Sequence, residues 1–143
     1  MKIRQLSIFL ENTAGRLYDI VSVLGNSKIN IRALSLADTA EFGILRLIVD
    51  KVDKAYEELK KSKHTVSITE VVAVEVADKP GGLAEVLGKF AENNINVEYM
   101  YAFVEKKHDN AILIFRIEDL ETAIEVIKKA GVKMVDHEQL MQY

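Results

Sequence analysis

The chain has 143 residues, 49% apolar and 29% charged, with a net charge of −3 and no cysteine. That is one ordinary domain or two small ones with enough apolar content for a folded core. The charge favours neither nucleic acid nor an anionic membrane. The missing cysteines exclude disulfides, thiol catalysis and thiolate metal sites.

In chain order, Ile3–Leu10 alternates apolar and polar at Leu6, Ile8 and Leu10 and predicts a strand. The same alternation begins at Met1–Gln5, with no signal-peptide core, and no apolar run reaches the length of a membrane span. A cytoplasmic protein with no membrane or nucleic-acid partner is the expectation. Glu11–Leu17 then forms a turn with Gly15 just before a helix over Leu17–Asn26, whose stripe is Leu17, Ile20, Val21 and Leu24. Lys28-Ile29-Asn30 leads into a strand over Ile31–Ala37. Asp38–Gly43 reads as a polar hairpin and Ile44–Val49 as a strand with Leu45, Leu47 and Val49 on one face. Asp50–Lys61 reads as a helix, with Val52, Ala55, Tyr56 and Leu59 as its stripe and Asp50 or Asp53 to serve its N-terminus. A β-prone run without Gly or Pro fills Thr65–Val76.

The pattern then repeats. Gly15/Gly81, Leu17/Leu83, Ile29/Ile95 and Asn30/Asn96 are each 66 residues apart, and they are the only identities between residues 3–35 and 69–101. The second copy predicts strands over Val71–Ala77, Asn96–Val104, Ala111–Ile117 and Val132–Val135, with helices over Gly82–Glu92 and Asp119–Lys129. Its extra residues fall in the hairpin Glu105–Asn110, where an insertion costs little. Asp136 with Gln139 resembles a capping box for a short tail helix.

Each copy is a βαββαβ unit, so the predicted fold is α+β: two ferredoxin-like units, residues 1–68 and 69–143 with a C-terminal tail. Because no linker separates them, their antiparallel sheets are expected to be coupled side by side or to exchange a strand, with the helices on one face. Leu17, Ile20, Leu24, Leu83, Leu87 and Phe90 are the predicted helix-side core. Phe9, Leu34, Leu36, Ile44 and Ile48 are assigned to the opposite face, where an apolar patch predicts a homodimer.

The strand, the acidic/Asn-x-Pro-Gly-x-Leu turn, the helix and the following Ile-Asn-hydrophobic resemble the ACT domain, in tandem over nearly the whole chain. Asp78-Lys79-Pro80-Gly81-Gly82-Leu83 matches the turn fully; Glu11-Asn12-Thr13-Ala14-Gly15-Arg16-Leu17 matches with Ala14 where proline is usual. Ile29-Asn30-Ile31 and Ile95-Asn96-Val97 match the start of strand two. The resemblance implies a non-enzymatic regulatory module that senses a free amino acid between paired copies. In serine-sensing members, asparagines at the positions of Asn12 and Asn30 bind the amino acid. The implied ligand-binding set is Asn12, Ala14, Gly15, Arg16, Leu17 and Asn30 in the first copy. In the second it is Asp78, Gly81, Gly82, Leu83 and Asn96.

Each of these residues also has a plainer role. Asn12 and Asn30 suit turns, and Asp78 suits a helix cap. Arg16 can meet a carboxylate or face solvent. Tyr99, Met100, Tyr101 and Phe103 can line an apolar pocket or pack a core or an interface. Gly81-Gly82 with Gly88 lacks the spacing of a dinucleotide fingerprint, and His64, His108 and His137 share no ligand spacing, so neither cofactor nor metal is implied. An RNA-binding unit of the same plan would carry aromatics on strand three, and Ile44-Leu45-Arg46-Leu47-Ile48-Val49 has none. The alternative function is a regulatory subunit that acts on a larger amino-acid biosynthetic enzyme.

Overall fold

The computed structural model describes residues 1–38, 41–103 and 109–143. Thr39 and Ala40 of the first predicted hairpin, and Val104–His108 of the second, lie outside the described residues. The elements follow the predicted order. They are β1 (Ile3–Glu11), α1 (Arg16–Asn26), β2 (Ile31–Asp38), β3 (Phe42–Val49), α2 (Val52–Lys61) and β4 (Thr65–Ala77). After these come α3 (Gly82–Glu92), β5 (Val97–Ala102), β6 (Asn110–Ile117), α4 (Leu120–Lys129), β7 (Met134–Val135) and α5 (His137–Met141).

Two compact units result: Arg4–Thr69, and Met1–Ile3 with Glu70–Tyr143. β4 is one 13-residue strand, and its residues up to Thr69 belong to the first unit. Strand order is β2-β3-β1-β4 in the first unit and β5-β6-β4-β7 in the second, so both carry the same antiparallel ferredoxin-like topology. Backbone conformation repeats as well. Left-handed φ occurs at Gly15/Gly81, Lys28/Asn94 and Lys63/Gly131, the same three turns in each unit.

Each sheet buries one face under its helices. In the first unit Leu6, Ile8, Leu45, Leu47 and Val49 pack against Ile20, Leu24, Ala55 and Leu59. In the second, Val72, Val74, Val76 and Phe115 pack against Val86, Phe90, Ala123 and Ile127. The Phe90 and Phe115 rings meet edge to face at 5.4 Å, a favoured aromatic geometry.

Three expectations are corrected. First, Leu17 and Leu83 are 39% and 37% exposed, while Ile20, Leu24, Val86 and Phe90 are buried. At about 100° per residue, Leu17 and Val21 lie on one flank of the apolar stripe and Ile20 and Leu24 on the other. Both α1 and α3 are rotated toward the second flank. Leu87, on the same flank as Leu83, is half-buried.

Second, a β-bulge between Ile31 and Ala33 sets Leu34 opposite Leu47 and Leu36 opposite Leu45. One extra residue moves every later side chain to the other face. Leu34 and Leu36 therefore share the helix side of the sheet, half-exposed on an edge strand, and Leu36 lies beside Leu10 over Gly43. The second unit has the same bulge between Val97 and Tyr99. Ile48, assigned to the face opposite the helices as part of a patch for a dimer, is fully buried within the single chain.

Third, Asp50 does not cap α2. Lys51 is its N-cap and makes no side-chain cap bond. Asp53 lies in the first turn and instead takes both Arg4 guanidinium nitrogens, the shorter bond being 2.7 Å. The tail follows its prediction: Asp136 and Gln139 form a capping box for α5, and Leu140 is buried.

Candidate functional site

The two strand-to-helix turns have one geometry. The Asn12 N–H donates to the Glu41 carbonyl and the Asp78 N–H to the Asp109 carbonyl, both at 2.9 Å. Within the turns the Thr13 N–H donates to Glu11 and the Arg16 N–H to Thr13; the Lys79 and Gly82 N–H groups repeat this on Ala77 and Lys79. Gly15 (φ 89°) and Gly81 (φ 84°) are the N-caps of α1 and α3, in a conformation that glycine adopts without steric cost. Neither helix has a side-chain cap, whereas Asp119 and Asp136 cap α4 and α5. The first helical N–H, of Arg16 or Gly82, is thus already taken within its turn, and the N–H groups that follow stand at the positive ends of the helix dipoles, a setting suited to an anion.

Ala14 stands where the second turn has Pro80, and the left-handed glycine that follows is kept in both. Arg16 is exposed and forms an i,i+3 ion pair with Asp19 at 3.6 Å. Gly82 is enclosed: a Cβ there would lie 2.0 Å from the Ala77 carbonyl oxygen, so α3 starts against the end of its own strand. Asp78 is exposed and does not cap α3.

The two asparagines of the first repeat are not brought together within it. Asn12 and Glu41 lie at the end of the sheet where β3 begins. Asn30 lies where β3 finishes: its N–H donates to Asp50 Oδ1 at 3.0 Å, and the Asp50 N–H donates to the Asn30 carbonyl at 3.2 Å. β3 has eight residues and spans roughly 25 Å. Both side chains are exposed. Asn96 likewise lies away from the Asp78–Leu83 turn, on a cleft with Asn93, Asn94, Glu118 and Asp119. Asp119, on that cleft, is held below the usual carboxylate range by hydrogen bonds from the Thr122 hydroxyl and N–H. Tyr99, Met100 and Tyr101 are half-buried, and Phe103 follows β5, its ring near Tyr143.

A family model described as the ACT domain pair matches residues 1–143. The chain belongs to the ACT domain pair family. A crystal structure of protein BT0572 from Bacteroides thetaiotaomicron is 40% identical, covers all of this chain and 98% of its own, and superposes with a TM-score of 0.93. The regulatory subunit of aspartate kinase from Thermus thermophilus, in its ligand-free form, shares the fold at 16% identity, with 89% of this chain and 91% of that one covered and a TM-score of 0.63. Its counterpart from Thermus flavus does so at 14% identity, with 90% and 92% covered and a TM-score of 0.60. No curated protein matches the chain. Among the described residues, no three His, Asp or Glu side chains are grouped to hold a metal, and no helix is long and apolar enough to cross a membrane.

The ACT pair also contains a feature that no motif announces: a cavity in each unit, between the first strand's end, the first helix and the connection into the last strand. Mapping the lining residues through the repeat would have located their counterparts, but no local spacing in the sequence marks them.

Proposed function

We propose that this ACT domain pair is a regulatory protein that senses a free amino acid and does no catalysis itself. The observation that carries this reading is the pair of helix starts without side-chain caps behind the exposed, left-handed Gly15 and Gly81. The carboxylate is taken by N–H groups around Gly15 or Gly81. The ammonium is taken by an asparagine oxygen or, in the second repeat, by Asp78. Both signs of partner are then available to a zwitterion.

Because Asn12 and Asn30 stand at opposite ends of one sheet, a site that uses the turn and the Asn30 or Asn96 position draws them from two different repeats. A homodimer that pairs edges provides this. β2 is the edge strand of the first unit. Antiparallel pairing of two such edges sets the start of one, next to Asn30, beside the end of the other, where the turn lies. The half-exposed Leu17, Val21, Leu34 and Leu36 on the helix side of that edge give the contact its apolar area.

A thermal-shift screen of the twenty amino acids tests the reading. A ligand at one hundred times its dissociation constant adds about 2.7 kcal/mol, or roughly 5–10 °C in melting temperature at this size. Asn12→Ala with Asn30→Ala should abolish the shift and leave the unliganded melt nearly unchanged. No shift with any amino acid, or a full shift in the double variant, refutes the site. The second reading, a regulatory subunit of a larger amino-acid biosynthetic enzyme, draws on the fold shared with the Thermus thermophilus subunit. It requires a large enzyme chain to be retained with the protein from native lysate.

A further inference from the structure

Every residue lining the first-unit cavity has its repeat counterpart lining the second-unit cavity, so the two are one feature in duplicate. Their chemistry has diverged. In the first unit, Phe9 and Phe42 form an aromatic pair with ring centroids 6.1 Å apart, each about half exposed. Their counterparts are Glu75 and Asn110, joined by a 2.8 Å hydrogen bond, with Lys133 on the Glu75 carboxylate at 2.9 Å. Arg16, Lys63 and His64 line the first cavity; Gly82, Gly131 and Val132 take their places in the second. The first cavity thus sets three basic side chains against one acid, Glu11.

One of these basic residues is held at a cost. Lys63 has φ 63°, in a turn whose second-unit counterpart is Gly131 at φ 72°. A side chain in that conformation crowds its Cβ against the backbone, which glycine avoids. The second unit shows that glycine serves the turn, so the lysine is not needed for the fold there.

We propose that the first-unit cavity binds a small carboxylate with an aromatic body. Its volume of about 360 Å³ falls within the range of ligand pockets. The half-exposed Phe9 and Phe42, both on the cavity lining, cover the apolar body. Arg16 takes the carboxylate through its planar fork, with Lys63 and His64 beside it. Its present partner is Asp19, half-exposed and 3.6 Å away, a surface pair weak enough for a ligand carboxylate to displace. The site lies inside one repeat and needs neither asparagine of the proposed amino-acid site.

The test is calorimetric titration of the full chain with benzoate, with acetate and benzyl alcohol as probes lacking the ring or the charge. Benzoate should bind at least tenfold more tightly than either. Phe42→Asn and His64→Val, each the second unit's own residue, should each weaken benzoate at least tenfold and leave any amino-acid thermal shift intact. Amide chemical-shift mapping on the unmodified protein gives a readout that does not depend on how the variants fold. Benzoate should move Arg16 and Ser62–Thr65 and not Ala130–Lys133. Undetectable benzoate binding, equal binding of acetate, unweakened variants or shifts confined to other residues would each overturn the proposal.

Discussion

Gly82→Ala should destabilise the second unit more than Gly15→Ala destabilises the first. An added Cβ at position 82 would lie 2.0 Å from the Ala77 carbonyl oxygen, and ordinary contacts begin near 3.4 Å. The start of α3 must therefore retreat by about 1.4 Å from its strand, against backbone rather than a side chain that can turn away. Overpacking of this kind costs about 1–3 kcal/mol or more. It also loosens the Asp78–Gly81 turn, whose Lys79 carbonyl accepts the Gly82 N–H. At Gly15 the Cβ would meet nothing within 4 Å, so only the left-handed φ is penalised, at about 1–2 kcal/mol. At the position matching Gly82 the first unit has Arg16, so its helix start already accommodates a Cβ. Urea denaturation of both variants, monitored by circular dichroism, measures the difference. If Gly82→Ala is as stable as the parent, or clearly more stable than Gly15→Ala, the close approach of α3 to β4 is refuted.

The rotation of α3 makes a second contrast. Phe90→Ala should cost about 3–5 kcal/mol and Leu83→Ala under about 1 kcal/mol, in the same denaturation assay, because only Phe90 is buried. Stability should fall as pH drops below about 4. Asp53, beside Arg4, and Asp119, bonded by Thr122, both have folded values below the ordinary one. Their contribution is therefore present above the unfolded value and lost as pH falls through the folded one; Asp53→Asn and Asp119→Asn should flatten the acid limb of a melting-temperature profile. Lys2 bridges Glu70 and Glu121, which occupy the places of Arg4 and Asp53 in the second unit. Lys2→Gln leaves two carboxylates facing each other, so it should lower the melting temperature at low salt and less so at high salt. Its own pKa is raised by Glu121, so its contribution should fade as pH rises past about 10.5.

Element type and order were legible because they follow from local periodicity. Alternation at Leu6, Ile8 and Leu10 and the helical spacing of Ile20 and Leu24 are satisfied by one strand and one helix whatever else the chain does. The turns were legible too, since a glycine ahead of a helical stripe predicts the left-handed conformation that Gly15 and Gly81 adopt. The repeat could be read from four identities, and it recurs in matching positive-φ positions and matching bulges.

Which flank of a helix is covered depends on where the helix sits across the sheet, and that is a property of the packed unit. Leu17 and Ile20 are equally apolar in sequence, and only packing exposes one and buries the other. The bulge after Ile31 has no composition signal, yet it carries Leu34 and Leu36 to the helix side. The distance between Asn12 and Asn30 is likewise set by topology. The helix between them returns the chain along the full length of the sheet, so residues 18 apart in sequence finish at opposite ends of it. Proximity of groups from separate elements is a three-dimensional quantity, fixed by strand order and register, and the one-dimensional spacing that reveals a strand or a helix carries no measure of it.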